Sequence, residues 1–239
     1  MKLENPKSIR LELIREMKHG AYSQCERLPR ELVLAEHFGI SRNHLREVLA
    51  QLEMEGFITR RHGIGTVINH HVLQVKNRMD IETEFMDIIR QNGYQPEVSD
   101  VRIQEEHADA YIAGKLQIPE GTEVVRVFRT CTANGKPALY CEDVLEKCYI
   151  CKPYTLKDLE PPIFYFLKDF CGIEAYMDLT QLHAVLADET VAKALNIPVG
   201  SPLLNMEEVD YDIDGKIIFY SRQYFVDEFF EQTVLRKKL

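Results

Sequence analysis

The sequence has no apolar run that approaches the roughly 18 residues of a membrane-spanning helix, which excludes a protein anchored through such a helix. Its opening stretch, MKLENPKSIRLELIREMKHG, is amphipathic, whereas a secretory signal has a short uncharged apolar centre. From these two absences we expect a protein that stays in the cytoplasm and has no membrane partner.

The sequence also lacks a full set of metal-binding residues. Its six cysteines include one CxxC pair, Cys148 and Cys151, but no second pair and no histidine pair follows at ligand spacing. His70 and His71 are expected to be solvated, because the sequence locates no acidic or cysteine partner for them. Small apolar thiols in a reducing compartment explain the cysteines better than a zinc or redox site, and we expect no metal and no cofactor.

No serine or cysteine lies in a recognisable nucleophile motif, and the residues of a catalytic metal centre do not occur together. The charged residues that remain can hold an anion without transforming it. The sequence therefore predicts a protein that is not an enzyme.

The net charge of −9 argues by itself against a nucleic-acid partner, but the charge is unevenly distributed. Residues 1–70 hold 11 Lys and Arg against 9 Asp and Glu, a net of +2, and residues 71–239 hold 18 against 29, a net of −11. The acidity thus belongs to the second part of the chain. The chain has 239 residues and 45% apolar content, which is enough for two cores. We predict one domain at 1–70, a linker at 71–84 and a larger domain at 85–239.

Residues 28–68 contain the pattern around which the chain is organised. The apolar residues of a short helix gather on one side: Leu32, Leu34, Ala35 and Phe38. Gly39 can end this helix in a left-handed conformation, and Ser41 can cap the next one by accepting from free amides of its first turn. The second helix repeats apolar residues at i, i+3, i+4 and i+7: Leu45, Val48, Leu49 and Leu52. Two helices joined by a turn, after a first helix at 8–19, predict a helix-turn-helix.

The other face of the second helix and the segment after it predict the contacts of a DNA reader. That helix face is cationic and hydrogen-bonding and lacks large apolar groups, as entry into a major groove requires. Gly56 ends the helix, and two short β-prone segments around His62-Gly63-Ile64-Gly65 predict a hairpin, or wing. Glycines at its tip allow close approach to a phosphate or minor-groove edge. Each basic residue alone is more often a solvated surface group, and only the order and spacing of the whole set indicate DNA binding.

This stretch resembles the DNA-binding domain of GntR-family transcription regulators. The matching positions run without a gap: Leu28-Pro29, Glu31, Leu34-Ala35, Gly39, Ser41-Arg42, Arg46-Glu47, Leu49, Leu52-Glu53, Glu55-Gly56, Ile58, Arg60-Arg61, Gly63 and Gly65-Thr66. The exposed face of the second helix, the wing and the residue before the first of the two helices give the candidate DNA-contacting residues: Arg30, Arg42, Asn43, His44, Arg46, Arg60, His62, Gly63, Gly65 and Thr66. Leu32 stands where the family commonly has an arginine that touches DNA, and Arg30 is the candidate to replace that contact.

Beyond the predicted linker the chain repeats itself. The segment that starts at Leu116 parallels the one that starts at Leu195 with a shift of 79, and the shift becomes 80 after a hairpin turn. Asn134-Gly135 suits a two-residue type I′ turn, whereas Ile213-Asp214-Gly215 suits a three-residue loop, which accounts for the added residue. These turns predict one pairing for both repeats: Arg129 opposite Tyr140 and diagonal to Glu142, and Glu208 opposite Tyr220 and diagonal to Arg222.

Each repeat is preceded by a short helix, so two helix-strand-hairpin-strand units should merge into one mostly antiparallel sheet with flanking helices, an α+β domain. This half resembles the UTRA effector-binding domain of the HutC subfamily of GntR regulators, whose fold is similar to chorismate lyase. The resemblance covers residues 85–235 and rests on GTEVVRVFR, NGKPALYCE, VLADETVAKALNIPVGSPLL and DGKIIFYSRQYF. Cys131 and Phe219 replace an arginine and a glutamate that members with phosphorylated-sugar ligands tend to carry, so the sequence argues against such a ligand.

Charged and tyrosine side chains of the two repeats are the candidate effector-binding residues: Arg129, Tyr140, Glu142, Glu208, Tyr220 and Arg222. Arginine can clamp a carboxylate or phosphate, and carboxylates can accept from amines or hydroxyls, so the effector is expected to be small and to carry an anionic group. The alternative for each residue is a cross-strand ion pair that only closes the sheet.

These observations predict a dimeric repressor that binds a two-fold DNA operator and is modulated by a small metabolite in its second domain. Dimerisation is expected because one small reader contacts too few base edges, whereas two related by a dyad match a palindrome. Two alternatives remain at this point. One is a chorismate-lyase-like enzyme fused to a DNA-binding domain, and the other is a regulator whose second domain only dimerises or docks a partner.

Overall fold

A computed structural model describes residues 6–238, which divide into two compact units. The first unit runs from the start of the described chain to Glu82 and also takes in the C-terminal segment from Gln232. The second unit spans Thr83–Glu231. Within this described part of the chain, none of the helices is long and apolar enough to cross a membrane.

The first unit is a winged helix-turn-helix, as predicted. Its helices are α1 Pro6–His19, α2 Glu31–Phe38, α3 Arg42–Met54 and α4 His70–Leu73. Its strands are β1 Ile58–Arg61, β2 Gly65–Ile68, β3 Asn77–Arg78 and, at the end of the chain, β10 Gln232–Thr233. Strands β1 and β2 form the antiparallel wing, and β10 pairs in parallel with β3.

The predicted turn chemistry between α2 and α3 is present. Gly39 adopts the left-handed conformation with φ 65° at the end of α2. Ser41 Oγ accepts a hydrogen bond of 3.2 Å from the amide of His44 and so caps α3. The predicted apolar face of α3 is buried: Leu45, Val48, Leu49 and Leu52. It packs against α1 and α2, and burial of each such leucine stabilises the unit by about 1.5–3 kcal/mol.

Residues 71–84, which the sequence analysis assigned to a linker, are largely part of the first unit. Val72 and Leu73 are buried in its core, and the guanidinium of Arg78 lies 5.2 Å from the centre of the Phe57 ring. A helix of four residues and a strand of two are too short to show a period in sequence, so these contacts could not be anticipated.

The C-terminal segment also belongs to the first unit, whereas the sequence analysis placed it in the second domain. Leu235 packs against the first core, and Lys237 Nζ donates to the carbonyl of Met54, 2.8 Å away, at the end of α3. The chain therefore crosses from the first unit to the second after Glu82 and returns after Glu231.

The second unit is the predicted α+β domain with an antiparallel sheet. Its helices are α5 Phe85–Gln91, α6 Ala110–Leu116, α7 Ile163–Phe166 and α8 Glu189–Leu195. Its strands are β4 Pro96–His107, β5 Glu123–Ala133, β6 Lys136–Glu146, β7 Met177–Leu186, β8 Pro202–Tyr211 and β9 Ile217–Phe225. The six strands are ordered β4-β5-β6-β9-β8-β7.

The predicted repeat extends one strand further than the sequence indicated. Each repeat consists of a strand, a helix and a hairpin, so that β4-α6-β5-β6 corresponds to β7-α8-β8-β9. The order of equivalent strands is therefore the same when the sheet is followed from either edge. Glu142 and Arg222, which the shift of 80 relates, pair directly across the central strands β6 and β9. A pseudo-two-fold axis thus passes through the middle of the sheet.

The predicted cross-strand register is wrong by one residue in both repeats. Arg129 lies opposite Cys141, and Glu208 lies opposite Ser221. The cause is a β-bulge in each hairpin, at Ala138 and at the equivalent Ile218, since one extra residue near the turn shifts every later pair. The turns themselves are as predicted, because Asn134 and Gly135 both have positive φ and Gly215 is left-handed in its three-residue loop.

The register assigns the side chains of the sheet to two faces. On the helix face, α6 packs around Tyr220 and α8 around Tyr140. The opposite face, which also carries buried polar residues, is called the network face. There α7 and its π-helical continuation Leu167–Cys171 cover Val125, Val127 and Phe219. Helix α5 also covers the network face, where Phe85 meets Phe225 at 5.5 Å between ring centres.

Candidate nucleic-acid interface and effector site

The exposed surface of α3 carries three of the predicted DNA-contacting side chains. Arg42, Asn43 and Arg46 are all exposed, while the apolar face of the same helix is buried. Arg46 Nε donates to Glu31 Oε2 at 2.8 Å, and the Arg46 side chain remains 55% exposed. This surface ion pair contributes little to stability but holds the guanidinium between α2 and α3.

His44 is less available than its three neighbours. The residue is half-buried, and its Nε2 atom is shielded from solvent without a hydrogen-bond partner among the described residues. Its backbone amide is bound to the Ser41 cap. His44 therefore stands at the edge of the exposed face, and its imidazole must turn outward to reach a base or phosphate.

The wing places a second set of candidates at the surface. Arg60, His62, Gly63 and Gly65 are exposed, and Thr66 is half-buried with its carbonyl accepting from the amide of Leu28 at 2.9 Å. The two glycines have φ of 74° and 106°, and a Cβ on either would meet no atom within 4 Å. The wing tip thus needs glycine for its backbone conformation and leaves open space beside it.

Acidic and basic partners that the sequence analysis missed hold the wing in position. Glu53 of α3 accepts from the Arg60 amide at 2.7 Å and from Arg60 Nε at 2.6 Å. Arg27 Nη1 donates to the Ile64 carbonyl at the wing tip at 3.1 Å. These contacts join the wing to α3 and to the segment before α2, and only tertiary structure brings the residues together.

Arg30 is exposed and immediately precedes α2. Its side chain makes no capping bond, and its carbonyl accepts from the Leu34 amide at 3.1 Å. Because Glu31 is the partner of Arg46, the backbone at Arg30 lies beside the α3 surface. Leu32 of the same helix is 54% exposed.

The structure separates the six predicted effector-binding residues onto opposite faces of the sheet. Arg129 and Glu208 lie on the network face. The others lie on the helix face: Tyr140, Glu142, Tyr220 and Arg222. The bulges cause this separation, since a shift of one residue moves a side chain to the other face. One pocket formed by all six is therefore excluded.

Three of the four residues on the helix face are hydrogen-bonded to one another or to a helix, whereas the Tyr140 hydroxyl and Arg222 Nε are buried without a partner among the described residues. Arg222 Nη2 donates to Glu142 Oε2 at 2.7 Å across the central strands. The Tyr220 and Tyr111 hydroxyls are 2.9 Å apart. Burial, together with the Tyr111 hydroxyl and the Glu207 charge, raises the pKa of Tyr220 above its usual value. These contacts match the alternative reading of the sequence, in which cross-strand pairs close the sheet.

The network face holds a buried chain of polar contacts that crosses four strands. Arg129 Nη2 donates to Asp143 Oδ2 at 2.6 Å, and Asp143 Oδ1 accepts from Ser221 Oγ at 2.7 Å. Gln223 Nε2 donates to Ser221 Oγ at 3.2 Å and to Glu208 Oε2. We call these five residues, Arg129, Asp143, Ser221, Gln223 and Glu208, the polar network.

Two atoms of the polar network are buried and lack a partner among the described residues, the donor Arg129 Nε and the acceptor Gln223 Oε1. A buried polar atom without a hydrogen bond costs about 1–3 kcal/mol. Both atoms belong to residues that are no more than 7% exposed as a whole. A bound molecule that offers one acceptor and one donor would satisfy them.

The charges near Arg129 are unusual for a buried site. Burial alone would lower the pKa of Arg129, but the carboxylate of Asp143 outweighs it and raises the pKa. Burial raises the pKa of the Glu84 carboxyl to about 7, although the Arg129 charge acts in the opposite direction. The site thus combines one fixed cation, the two carboxylates of Asp143 and Glu208, and one carboxyl that titrates near neutrality.

Sequence reasoning found Arg129 and Glu208 but missed Asp143, Ser221 and Gln223. No alternation with apolar residues marks them, because Asp143 follows Glu142 and because Ser221 and Gln223 flank Arg222. With the bulges ignored, their side chains would also have been assigned to the wrong face.

The described residues 6–238 contain no group of three or more His, Cys, Asp or Glu that could hold a metal ion. Cys148 and Cys151 are free and exposed, whereas the sequence analysis expected small apolar thiols. His70 Nε2 lies 2.9 Å from the Cys25 carbonyl, so this histidine is hydrogen-bonded rather than only solvated.

Comparison with known proteins agrees with both units. Residues 6–68 match the family model for bacterial regulatory proteins of the gntR family, and residues 91–231 match the UTRA domain model. The chain is 22% identical over 232 residues to the mannosyl-D-glycerate transport/metabolism system repressor MngR of Escherichia coli (strain K12), with 93% of this chain and 92% of that protein covered. It is 25% identical over 198 residues to the histidine utilization repressor of Pseudomonas putida, with 80% and 76% covered.

Among solved structures, the possible transcriptional regulator YydK from Bacillus subtilis has a similar fold. The TM-score is 0.74 at 20% identity, and 97% of this chain and 99% of that chain are covered. At this identity the likeness concerns the fold alone.

Proposed function

The chain belongs to the GntR-type transcription regulators that carry a UTRA domain, and we propose that it is a dimeric repressor that leaves its operator when a small metabolite binds. Its first unit is the DNA-binding part, and its second unit is the effector-binding part. A protein that acts on the genome works where the genome is, so the proposal places it in the cytoplasm. The curated relatives reported above are named repressors, which supports repression as the direction of control.

The observation that carries the DNA-binding proposal is the division of α3 into a buried apolar face and an exposed polar one. Arg42 and Arg46 can each donate two hydrogen bonds to a guanine edge, and Asn43 can pair with an adenine edge. Arg30 and His44 lie at the margin of the same surface. We assign base reading to the α3 side chains and backbone positioning to the wing residues Arg60, His62, Gly63, Gly65 and Thr66.

A two-fold operator follows from the small size of this surface. One helix-turn-helix reads a few base pairs, whereas two related by a dyad read half-sites about 10–10.5 base pairs apart. We therefore expect a palindromic operator. The second units of two chains would hold the two winged helix-turn-helix units at that spacing.

We propose the polar network, with Glu84 beside it, as the effector site. A carboxylate or another oxygen acceptor of the effector would take the hydrogen bond of Arg129 Nε, and a hydroxyl or amine would donate to Gln223 Oε1. Because Asp143 already balances the Arg129 charge and Glu208 adds a second carboxylate, a doubly charged anion fits less well than a small polar metabolite with at most one anionic group. The helix-face residues Tyr140, Glu142, Tyr220 and Arg222 are assigned to the frame of the sheet.

Regulation of operator binding requires no catalysis by the second unit. A metabolite that binds better to one arrangement of two chains shifts the population toward it, and a coupling of about 1–3 kcal/mol changes operator occupancy usefully. The two chain segments that join the units, after Glu82 and after Glu231, are the covalent routes for this coupling. A second unit that turned over a bound metabolite would contradict this binding role.

The DNA part is tested by selecting the preferred duplex from random sequences with the full chain and comparing Arg46→Ala with Arg90→Ala. The two arginines are 55% and 56% exposed, each is paired with one carboxylate, and Arg90 lies in the second unit. We expect Arg46→Ala to lose about 1–3 kcal/mol on the selected duplex and less on random DNA. Equal losses on both duplexes, or an equal loss for Arg90→Ala, would reject base reading by Arg46.

The effector part is tested by thermal shifts with a panel of small polar metabolites. Gln223→Met removes the free acceptor on the network face, and the neighbouring Tyr224→Phe removes one hydroxyl on the opposite face. We expect Gln223→Met to lose the shift and the release from DNA, and Tyr224→Phe to keep both. A folded Gln223→Met variant with an unchanged response would place the effector elsewhere.

A further inference from the structure

The two helices α6 and α8 occupy equivalent places in the two repeats of the second unit. Each begins after a capping aspartate, Asp109 or Asp188, whose side chain accepts from an amide of the first turn at 2.8 Å. Each helix then covers one fully buried tyrosine of the central strands, Tyr220 under α6 and Tyr140 under α8. Because the backbone is repeated, differences between the two places arise from the side chains.

Under α6, the space above the buried tyrosine is filled. The Tyr111 hydroxyl lies 2.9 Å from the Tyr220 hydroxyl and 3.1 Å from both carboxylate oxygens of Glu207. Lys115 Nζ is 2.7 Å from Glu207 Oε2 and 5.2 Å from the centre of the Tyr220 ring. In the first repeat, therefore, two large side chains of the helix cover the tyrosine and give its hydroxyl a partner.

Helix α8 lacks both of these large side chains. The shift of 79 relates Tyr111 to Thr190 and Lys115 to Ala194. Thr190 and Ala194 line a cavity of about 670 Å³ between α8 and the strands β4 and β5. Small-molecule pockets usually measure about 300–1,000 Å³. We call this space the helix-face cavity, and it lies where Tyr111 and Lys115 are found in the first repeat.

The tyrosine under α8 has no partner for its hydroxyl. Tyr140 is 0% exposed, and its hydroxyl makes no hydrogen bond with the described residues. Burial and the nearby Glu142 carboxylate raise the pKa of Tyr140, so the hydroxyl keeps its proton and can donate. The equivalent hydroxyl of Tyr220 bonds to Tyr111, whose place is taken by Thr190 at the wall of the cavity. The missing partner would therefore lie in the helix-face cavity.

The rest of the cavity combines an aromatic surface with a polar rim. The Phe128 ring stacks on the Tyr140 ring at 6.4 Å between centres, and the guanidinium of Arg102 lies 4.9 Å from the centre of the Phe128 ring. Aromatic surfaces of this kind favour another ring with a polar tip. The cavity lining also carries two cations and two carboxylates, so that it selects no net charge: Arg102, Lys193, Asp100 and Glu189.

We propose that the helix-face cavity is a second small-molecule site of this unit and that it takes a compound with a phenol ring. The ring would occupy the place that the Tyr111 ring has in the first repeat. Its hydroxyl would meet the Tyr140 hydroxyl as Tyr111 meets Tyr220, and its polar end would lie among the charges of the lining. The site is on the face of the sheet opposite the polar network, so the proposed effector site does not depend on it.

The test is a titration of the full chain with 4-hydroxyphenylacetamide and with phenylacetamide, followed by ligand-observed nuclear magnetic resonance. The two compounds are uncharged and differ by one hydroxyl, so we expect the phenol to bind about 3- to 10-fold more tightly, as one hydrogen bond allows. Tyr140→Phe should remove this preference. Tyr220→Phe, whose hydroxyl already has a partner, should keep it. No binding of either compound, or a preference that Tyr140→Phe leaves unchanged, would overturn the inference.

A substitution that fills the cavity tests the location separately. Thr190→Tyr gives the second repeat the tyrosine of the first, and we expect this variant to lose binding of 4-hydroxyphenylacetamide. Thr190→Ser leaves the cavity open and should keep the binding. Binding that survives Thr190→Tyr in a folded chain would refute the site. Binding that survives Thr190→Tyr but is lost with Gln223→Met would place the phenol on the network face, which refutes this inference and leaves the proposed effector site in place.

Discussion

The buried pair of Arg129 and Asp143 gives a prediction whose magnitude follows from the structure. The two side chains are 8% and 2% exposed and 2.6 Å apart. Removing one partner of a buried ion pair leaves the other charge uncompensated and costs about 3–5 kcal/mol. Arg129 would keep the Pro161 carbonyl and Asp143 would keep the Ser221 hydroxyl, so we expect the lower end. Arg129→Met and Asp143→Asn should each destabilise the second unit by about 3 kcal/mol, and the double variant by about 1 kcal/mol.

The assay is urea unfolding of the full chain followed by near-ultraviolet circular dichroism. The chain has no tryptophan and 11 tyrosines, of which Tyr22 alone lies in the first unit, so the signal reports the second unit. Single substitutions that cost less than about 1 kcal/mol, or a double variant whose cost equals the sum of the singles, would refute the coupled buried pair. The polar network would then behave as a set of solvated side chains, and the proposal that it forms the effector site would lose its support.

Three further predictions concern other parts of the chain. Burial raises the pKa of Glu84 from its usual value of 4.5 to about 7, so the folded state holds a proton that the unfolded state releases. Stability should therefore fall as pH rises from 4.5 to 7, and a pH series of melting temperatures should show Glu84→Gln without this fall. Lys237→Ala removes a donor from the end of α3 and should lower the stability of the first unit by about 0.5–1 kcal/mol in calorimetry, whereas Lys238→Ala should not. Gly63→Ala forces a side chain into a φ of 74° at the wing tip and should weaken DNA affinity in a binding titration, while Gly114→Ala, in α6 and free of positive φ, should leave it unchanged.

The local chemistry of the first unit was predictable from sequence because it depends on near neighbours. Gly39 ends α2, Ser41 caps α3, and the apolar face of α3 repeats with a helical period, so each is set by residues a few positions apart. The ion pairs of Arg46 with Glu31 and of Arg60 with Glu53 were not predicted. They depend on the angle between elements, which no local pattern specifies.

The repeat in the second unit was visible in sequence, but its bulges were not. Ala138 and Ile218 occupy equivalent positions, and neither has a side chain that marks a bulge. One undetected residue was enough to place Arg129 and Tyr140 on the same face, although the structure has them on opposite faces. The six predicted effector residues were therefore combined into one set, although the sheet divides them between its two faces.

The short elements of residues 71–84 and their pairing with the C-terminal segment could not be predicted from sequence for a different reason. Asn77 and Arg78 pair with Gln232 and Thr233, more than 150 positions away in the chain. Two-residue strands have no periodicity, and a long separation gives no local signal. Such contacts are accessible only from the folded chain.

The most direct test of the central claim is chemical protection of purine N7 atoms in the selected operator, because N7 is exposed only in the major groove. We expect two protected clusters with centres about 10–10.5 base pairs apart. Both clusters should be lost when Asn43→Ala is combined with Arg46→Ala in a chain that remains folded. Tight binding of the wild-type chain without N7 protection, or protection that survives the double substitution, would contradict the assignment of α3 as the reading helix.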